Sequence, residues 1–368
     1  MDLISFNKSQ YKGSLKELAM AALALRTDKE NPVDISIQDL VKEKHNIEYA
    51  NFLNDLGIDP SHDTVSNIFM TPDDDVRWII PEIFREALLL GYRAAPIWPK
   101  IIAAEETTAG LTQIMPWLNM ADAAPKKVGE GETIPVGTLS WGQKKFSIYK
   151  IGRGIKIPYE VLQYSSLQVV KIFLRDFGVK LGYAQDTLAI DCLLNGEQAD
   201  GSESAPVIGV KTPTAKVYKD YLKIWTRLSR MGRVPSVLLG GENAAADTLD
   251  LDEFKRNASY IAPALVQINP NTPVPKSFDY YVHGNIPTNQ EMMLDPKSGI
   301  IKFNAQPLLV ESERIVSNQT EAFYCSLTSG FAKLFRDSCI VMDSSLDFQN
   351  AGFPSWMEVD QFQNVVID

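Results

Sequence analysis

Histidine and cysteine are both scarce in this 368-residue chain, with three of each. His45, His62 and His283 each stand alone, with no second ligand at helical or hairpin spacing, so neither a zinc site nor a histidine-based triad is expected. Cys192, Cys325 and Cys339 are too few and too far apart for a disulfide framework or a metal cluster, and read as reduced thiols of the core. Long apolar runs are missing as well: nothing approaches the roughly 20 residues that cross a bilayer, so no membrane role is expected. Basic charge is in deficit. With 36 Lys and Arg against 46 Asp and Glu, the net charge is -10 and the pI near 5.0, which argues against a broad basic face that displaces counterions from nucleic acid. Repeats and low-complexity tracts are absent.

What remains is ordinary material for a packed interior, 45% hydrophobic and 22% charged, in a chain long enough for two domains or one elaborated domain. The apolar run Leu18 to Leu25, with its Ala22-x-Ala24 pattern, looks at first like a secretory signal. Glu17 in its flank, the Ser14/Glu17 capping box and the stripe Leu15, Leu18, Ala22, Leu25 make it a short amphipathic helix instead. Residues up to about Asp75 read as a polar arm with enough apolar content to fold against something. From Val76 a compact domain begins, with Trp78-Ile79-Ile80-Pro81-Glu82-Ile83-Phe84 leading into a helix.

The stretch Gly129 to Gly196 is the most informative. Thr133-Ile134-Pro135-Val136 and Lys145-Phe146-Ser147-Ile148-Tyr149 read as strands around a turn near Trp141-Gly142-Gln143, and Gly129, Gly131, Gly137 and Gly152 read as hinges at the root of the arm. Arg153 to Ile157 alternates, placing Ile155 and Ile157 on one face and the cations on the other. A helix follows, started by Ser165 and Gln168 and closed by Asn195-Gly196. Its stripe of Leu167, Val170, Leu174, Phe177, Leu181, Ala184 and Leu188 predicts about 29 residues and roughly 43 Å. Gly178 and Gly182, one turn apart, either let another backbone pass close by or are tolerated within an ordinary core helix.

Beyond the helix, Thr212-Pro213 opens a second one with the stripe Val217, Tyr221, Ile224, Leu228 and Met231. Val234 to Leu239 reads as a strand, and Glu242 to Arg256 as another helix. Phe278 to Val282, Leu308 to Val310, Ala322 to Leu327, Ala332 to Phe335 and Ile340 to Met342 read as strands. Chemistry is harder to find. Gly152-Arg153-Gly154 lacks the third glycine of a dinucleotide fingerprint and leads into a strand. Gly129-Glu130-Gly131-Glu132 carries carboxylates that would repel a phosphate. Gly240-Gly241-Glu242 reads as ordinary helix capping, and the pairs Glu105-Glu106 and Glu311/Glu313 as solvated surface. No catalytic, cofactor-binding or metal-binding residue is expected, and no enzyme.

The order of parts resembles the major capsid proteins of tailed bacteriophages with the Hong Kong 97-type fold. The resemblance is carried by Ile80-Pro81-Glu82-Ile83, Gly131-Glu132-Thr133-Ile134-Pro135, Ile155-Lys156-Ile157-Pro158-Tyr159-Glu160-Val161-Leu162, and Asp186 to Gly196. It implies an α+β fold: an N-terminal arm (1–75), a peripheral domain (76–128 and 153–198) with a long spine helix, an extended hairpin loop (129–152), an axial domain (199–304), and closing strands of the peripheral domain with a C-terminal segment (305–368). It also implies a subunit of hexamers and pentamers in an icosahedral shell around double-stranded DNA, bound without sequence specificity. The virion capsid, assembled in the host cytoplasm, would be its location, with a portal protein and scaffolding or decoration proteins as partners. Many such proteins carry a scaffolding segment before the arm; with Met1 ahead of the arm here, a separate scaffold or none is expected. Intersubunit contacts would come from Glu132, Ile134, Val136, Trp141, Lys144, Lys145 and Phe146, with Trp141 as an anchor at the tip. Lys144, Lys145 and Asn350 have the residue types of the family's covalent cross-link, but non-covalent locking is the expectation. An encapsulin-type compartment shares the fold, and a hydrolase with a carboxylate site in the middle domain is a third reading.

Overall fold

A computed structural model describes residues 80–94, 96–108, 110, 112–118, 128–133, 139–165, 167–197, 203–251 and 278–357, with scattered positions between 19 and 52. Helix α1 (Ile80–Ala94) carries Glu82 in its first turn and Arg93 in its last, the polarity that complements a helix dipole. A short turn α2 (Trp98–Ile101) leads into β1 (Ile102–Thr107). Two strands follow, β2 (Thr112–Leu118) and β3 (Leu139–Ser147), then β4 (Tyr149–Pro158) and the short helix α3 (Tyr159–Tyr164). Helix α4 runs from Leu167 to Asn195, 29 residues, with the length and ends that its caps and stripe predict. Gly196 terminates it at φ +72°, where its N–H reaches the Cys192 carbonyl at 2.9 Å.

The length of α4 has a reason: it crosses two cores. Val170, Leu174 and Leu181 pack with Ile83, Phe84 and Leu88 of α1, and Ala22, Val41 and Phe52 of the N-terminal segment are buried in the same cluster. Ala189, Ile190 and Leu193 pack in a second cluster with Trp98 and Ile101. Between them α1 and α4 touch backbone to backbone. A Cβ at Gly91 would collide with the Arg175 carbonyl, one at Gly178 with the Leu88 carbonyl, and one at Gly182 would lie 3.0 Å from the Tyr92 carbonyl. Gly178 and Gly182 are therefore contact residues and not merely tolerated.

Strands β5 (Val207–Val210), β6 (Val237–Gly240), β7 (Asp279–Val282), β8 (Gln290–Leu294), β9 (Ile300–Ile315), β10 (Thr320–Lys333) and β11 (Cys339–Asp347) complete two sheets, with α5 (Tyr218–Arg230) and α6 (Glu242–Leu249) between. One sheet has the order β1-β9-β10-β4, the other β5-β11-β8-β6-β7. In the first, β1 runs parallel to β9 and the remaining pairs are antiparallel. Its Ile157, Phe323 and Leu327 face α1 and α4, and Phe84 meets Phe323 edge-on at 4.4 Å. In the second, Leu239, Met292, Leu294 and Val341 face α4, while Ile208, Leu238, Met293, Ile340 and Met342 face Tyr221, Ile224 and Leu228 of α5.

Several expectations change. Leu308 to Val310 is the middle of a 16-residue strand, and Ala322 to Leu327 and Ala332 to Lys333 belong to one strand. β11 lies inside the second sheet, between β5 and β8, so residues 305–368 do not close the first sheet alone. α5 starts at Tyr218, not at Thr212: Thr214 adopts φ +65°, and the Asp220 carboxylate accepts from the N–H groups of Val217 and Lys211, each at 3.3 Å. Arg153 has the strand parity of Ile155 and Ile157, so only Lys156 occupies the opposite face. The three cysteines are free and buried, as expected.

Asp186, on α4, ties the helices together. Its Oδ1 accepts from the N–H groups of Ile97 and Trp98 at 2.8 and 2.7 Å, holding the start of α2. Burial pushes the carboxyl up to about 6, against those two hydrogen bonds, which pull it down. A folded-state pKa above the unfolded one means that its contribution to stability is full below about pH 4 and lost as pH rises through 6. Asp186→Asn keeps an acceptor and removes the charge, so its unfolding midpoint in urea should gain on that of the wild type as pH rises from 4 to 6. Asp186→Ala strands two buried donors and should cost about 2–4 kcal/mol. Gly178→Ala gains about 1 kcal/mol of helix propensity, yet should lose about 1–3 kcal/mol overall by driving α1 from α4, read in the same urea titrations.

Candidate assembly interface

β2 and β3 form a two-stranded sheet of their own, a ribbon that on its own is at best marginally stable in water. The register of the four-stranded sheet shows where it leaves the core. Thr107 pairs with Asn304, Asn304 with Ser329, and Ser329 with Tyr149, so both legs depart from the same row, three strand spacings or about 14 Å apart. Thr112 then pairs with Ser147. Thr107 and Thr112 therefore belong to legs on opposite flanks of the sheet, a separation within the roughly 17 Å that five extended residues reach.

On the other leg, β3 runs on through Ile148 into β4. Phe146 and Ile148 are buried with Phe303 and Ala332, and the rings of Phe146 and Phe303 lie 4.5 Å apart. A Cβ at Gly330 would come 2.9 Å from the Ser147 carbonyl, so glycine is needed where the ribbon meets β10. The root of the ribbon is this apolar plug, not a set of glycine hinges.

The ribbon is built from Thr112–Leu118 and Leu139–Ser147, so it starts before the expected 129–152 and the described partner of β3 is β2; Ile134 to Val136 lie outside the described residues. Ile114 opposes Lys145 while Pro116 opposes Trp141, so Gly142, Gln143 and Lys144 bulge opposite Met115. The expected turn at Trp141-Gly142-Gln143 is thus a bulge within a strand. Gly142 permits it, and Pro116 has no N–H to give the ladder. A turn does exist at Gly129–Glu132, beyond the paired strands. There the Glu132 N–H reaches the Gly129 carbonyl at 3.2 Å, the Glu132 carboxylate accepts from the Gly129 N–H at 3.0 Å, and Gly131 has φ +86°.

Of the expected contact residues, Glu132 is exposed in that turn, while Trp141, Lys144 and Lys145 lie on β3. Ile134 and Val136 fall outside the described residues. Phe146 is 2% exposed and belongs to the core, a correction that follows from its contact with Phe303. A surface that the sequence reading passed over lies on α3 and α4, where Tyr164, Ile172 and Phe173 are 80%, 62% and 71% exposed. Ile172 and Phe173 sit beside the buried Val170 and Leu174, so in this half of α4 apolar side chains extend beyond the packed stripe, up to the exposed Asp176–Lys180 pair.

A polar cluster in the second sheet bears on the carboxylate reading. Glu291, 1% exposed, accepts from the hydroxyls of Tyr221, Thr248 and Tyr280 and pairs with Lys216 at 3.5 Å. Lys216 also donates to the Ala244 carbonyl at 2.6 Å and to Thr248 at 3.0 Å. Burial is the main cause that holds both phenols up and the lysine down. The cluster is closed and internally bonded, and joins α5, α6 and β8. Among the described residues no group of acids, histidines and cysteines is placed to hold a metal, and no helix is long and apolar enough to cross a membrane.

No protein-family model matches the chain, and no curated protein matches it. Solved structures do. A virus-like particle from Pyrococcus furiosus is 15% identical, over 71% of this chain and 97% of that one, with a TM-score of 0.46. A structure from Microbacterium phage Oxtober96 is 12% identical, over 67% and 90%, at 0.47. The holo-SrpI encapsulin complex from Synechococcus elongatus is 13% identical, over 68% and 88%, at 0.46. The likeness is one of fold.

The plug at the root of the ribbon is testable. Phe146→Ala should lower the urea stability of the monomeric chain by about 3–5 kcal/mol, whereas the exposed Phe173→Ser should change it by no more than about 0.5 kcal/mol. Equal effects at the two positions would refute the assignment of Phe146 to the core.

Proposed function

We propose that this chain is a structural subunit, a major capsid protein that closes into an icosahedral shell of hexamers and pentamers around double-stranded DNA. The observation that carries the reading is the ribbon. It leaves its own core from a fixed row of the sheet, joins no larger sheet among the described residues, and two strands alone are at best marginally stable without another surface. The exposed apolar side of α4 supports the same reading, since a soluble monomer gains nothing from presenting Ile172 and Phe173 to water. The subunit works through contacts and performs no reaction. Its acidic balance suits containment of DNA in place of tight binding. The virion capsid is its proposed location, assembled in the host cytoplasm, with a portal protein and scaffolding or decoration proteins as proposed partners.

An encapsulin-type compartment makes the same demands on a subunit, so the contents of the particle decide between the two. Particles purified from producing cells should hold nuclease-protected DNA; an enclosed enzyme with no DNA would point to the compartment. The ribbon is tested by excision. Gln113 pairs with Phe146, so residues 114–145 can be replaced by an Asn-Gly turn without disturbing the root. By negative-stain microscopy the full chain should form closed shells and the excised variant only folded subunits. Normal shells from the excised variant would rule the ribbon out as an intersubunit arm.

A further inference from the structure

In a chain of net charge -10, residues 133–159 contain five cations, Lys144, Lys145, Lys150, Arg153 and Lys156, and no acid. The last three lie on β4, and all three are exposed. β4 is an edge strand, paired only with β10 among the described residues. By alternation Lys150, Gly152, Gly154 and Lys156 share one face. Two ammonium groups thus flank a strip that carries no side chain of its own.

The glycines are not idle. A Cβ at Gly154 would come 2.7 Å from the Tyr324 ring, and one at Gly152 would come 2.9 Å from the Cys325 carbonyl and 3.1 Å from the Ser326 Cβ, so on this face the cross-strand side chains of β10 lie against the glycines between the two lysines. Glycine inside a strand weakens it and commonly marks a close backbone approach. The three cations form no ion pair with any described residue. Lysines on an edge do deter unwanted strand pairing, but that role does not require the exclusion of every acid from the stretch.

We propose that this strip receives the acidic turn Gly129–Glu132 of a second copy of the chain. The turn presents Glu130 and Glu132, both exposed, on a loop already held by the bonds between Gly129 and Glu132. The contact is heterologous, turn on one copy and strip on the next, and such contacts close into rings when the rotation permits. It rests on the shell reading and gives the ribbon a specific seat. The same cations suit a nucleic-acid backbone, but two on one strip supply few phosphate contacts in a chain otherwise rich in carboxylates, whereas the turn offers matched charge on the same molecule.

The test is a charge exchange in the full chain: Glu130→Lys, which spares the bond made by Glu132; the double variant Lys150→Glu, Lys156→Glu; and all three together. At low salt, each of the first two should raise the protein concentration needed for shells by at least about tenfold, and the combination should bring it back to within about threefold of wild type. Circular dichroism and urea unfolding check that the subunits remain folded. Shell formation by both reversed variants at the wild-type concentration, or a combination no better than its parents, overturns the proposal. If the wild type binds a short DNA duplex, the lysine double variant does not, and the combination fails to restore shells, the strip serves nucleic acid. Wild-type shells with a failed exchange leave the shell reading standing, while absence of wild-type shells under all conditions removes both.

Discussion

Everything in this fold depends on the close approach of α1 and α4. Gly91, Gly178 and Gly182 remove the side chains that would hold two backbones apart, and the contact fixes the first half of α4 beneath the four-stranded sheet. The second half of the same helix then carries the five-stranded sheet through Ala189, Ile190 and Leu193. Two cores that contact order alone would leave loosely related are aligned by one uninterrupted ladder of hydrogen bonds. Asp186 lies near the changeover and pins α2 to it, at the cost of burying a carboxyl.

That frame gives the ribbon its direction. Its legs leave from opposite flanks of β9 and β10 but from one row, and the Phe146–Phe303 contact locks one of them. A ribbon hinged on glycines would sample many directions and lose entropy when a partner held it. One rooted in a packed core has much of that ordering already in place, which favours association. The exposed side of α4 and the two lysines of β4 are fixed on the same frame.

The parts legible in the sequence are those whose signals are local. Both ends of α4 could be read because Ser165, Gln168, Asn195 and Gly196 are close to the boundaries they mark. Its buried stripe could be read because Val170, Leu174 and Leu181 repeat at helical spacing. Strand partnership is not local. Nothing near Leu139–Ser147 names Thr112–Leu118 as its partner, and Trp141-Gly142-Gln143 has the composition of a turn while serving as a bulge. β8 escaped notice because Met292-Met293-Leu294, buried on both faces, has no alternation to read. Phe146 looked like a surface residue only because its strand looked like an arm from end to end.

The two legs of the ribbon also differ in how they carry load. β3 continues into β4, so tension on the ribbon runs lengthwise along the β4–β10 ladder and is shared by the whole register from Tyr149 to Pro158. β4 is parallel to β1, and β2 is antiparallel to β3, so on the other leg β1 and β2 run in opposite directions. Tension there acts on the last rung of the β1–β9 ladder and opens it from that end. The two anchorages of the ribbon thus differ in kind: on β4 a pull is spread over the ten pairs of its ladder, while on β1 it falls first on the Thr107–Asn304 rung.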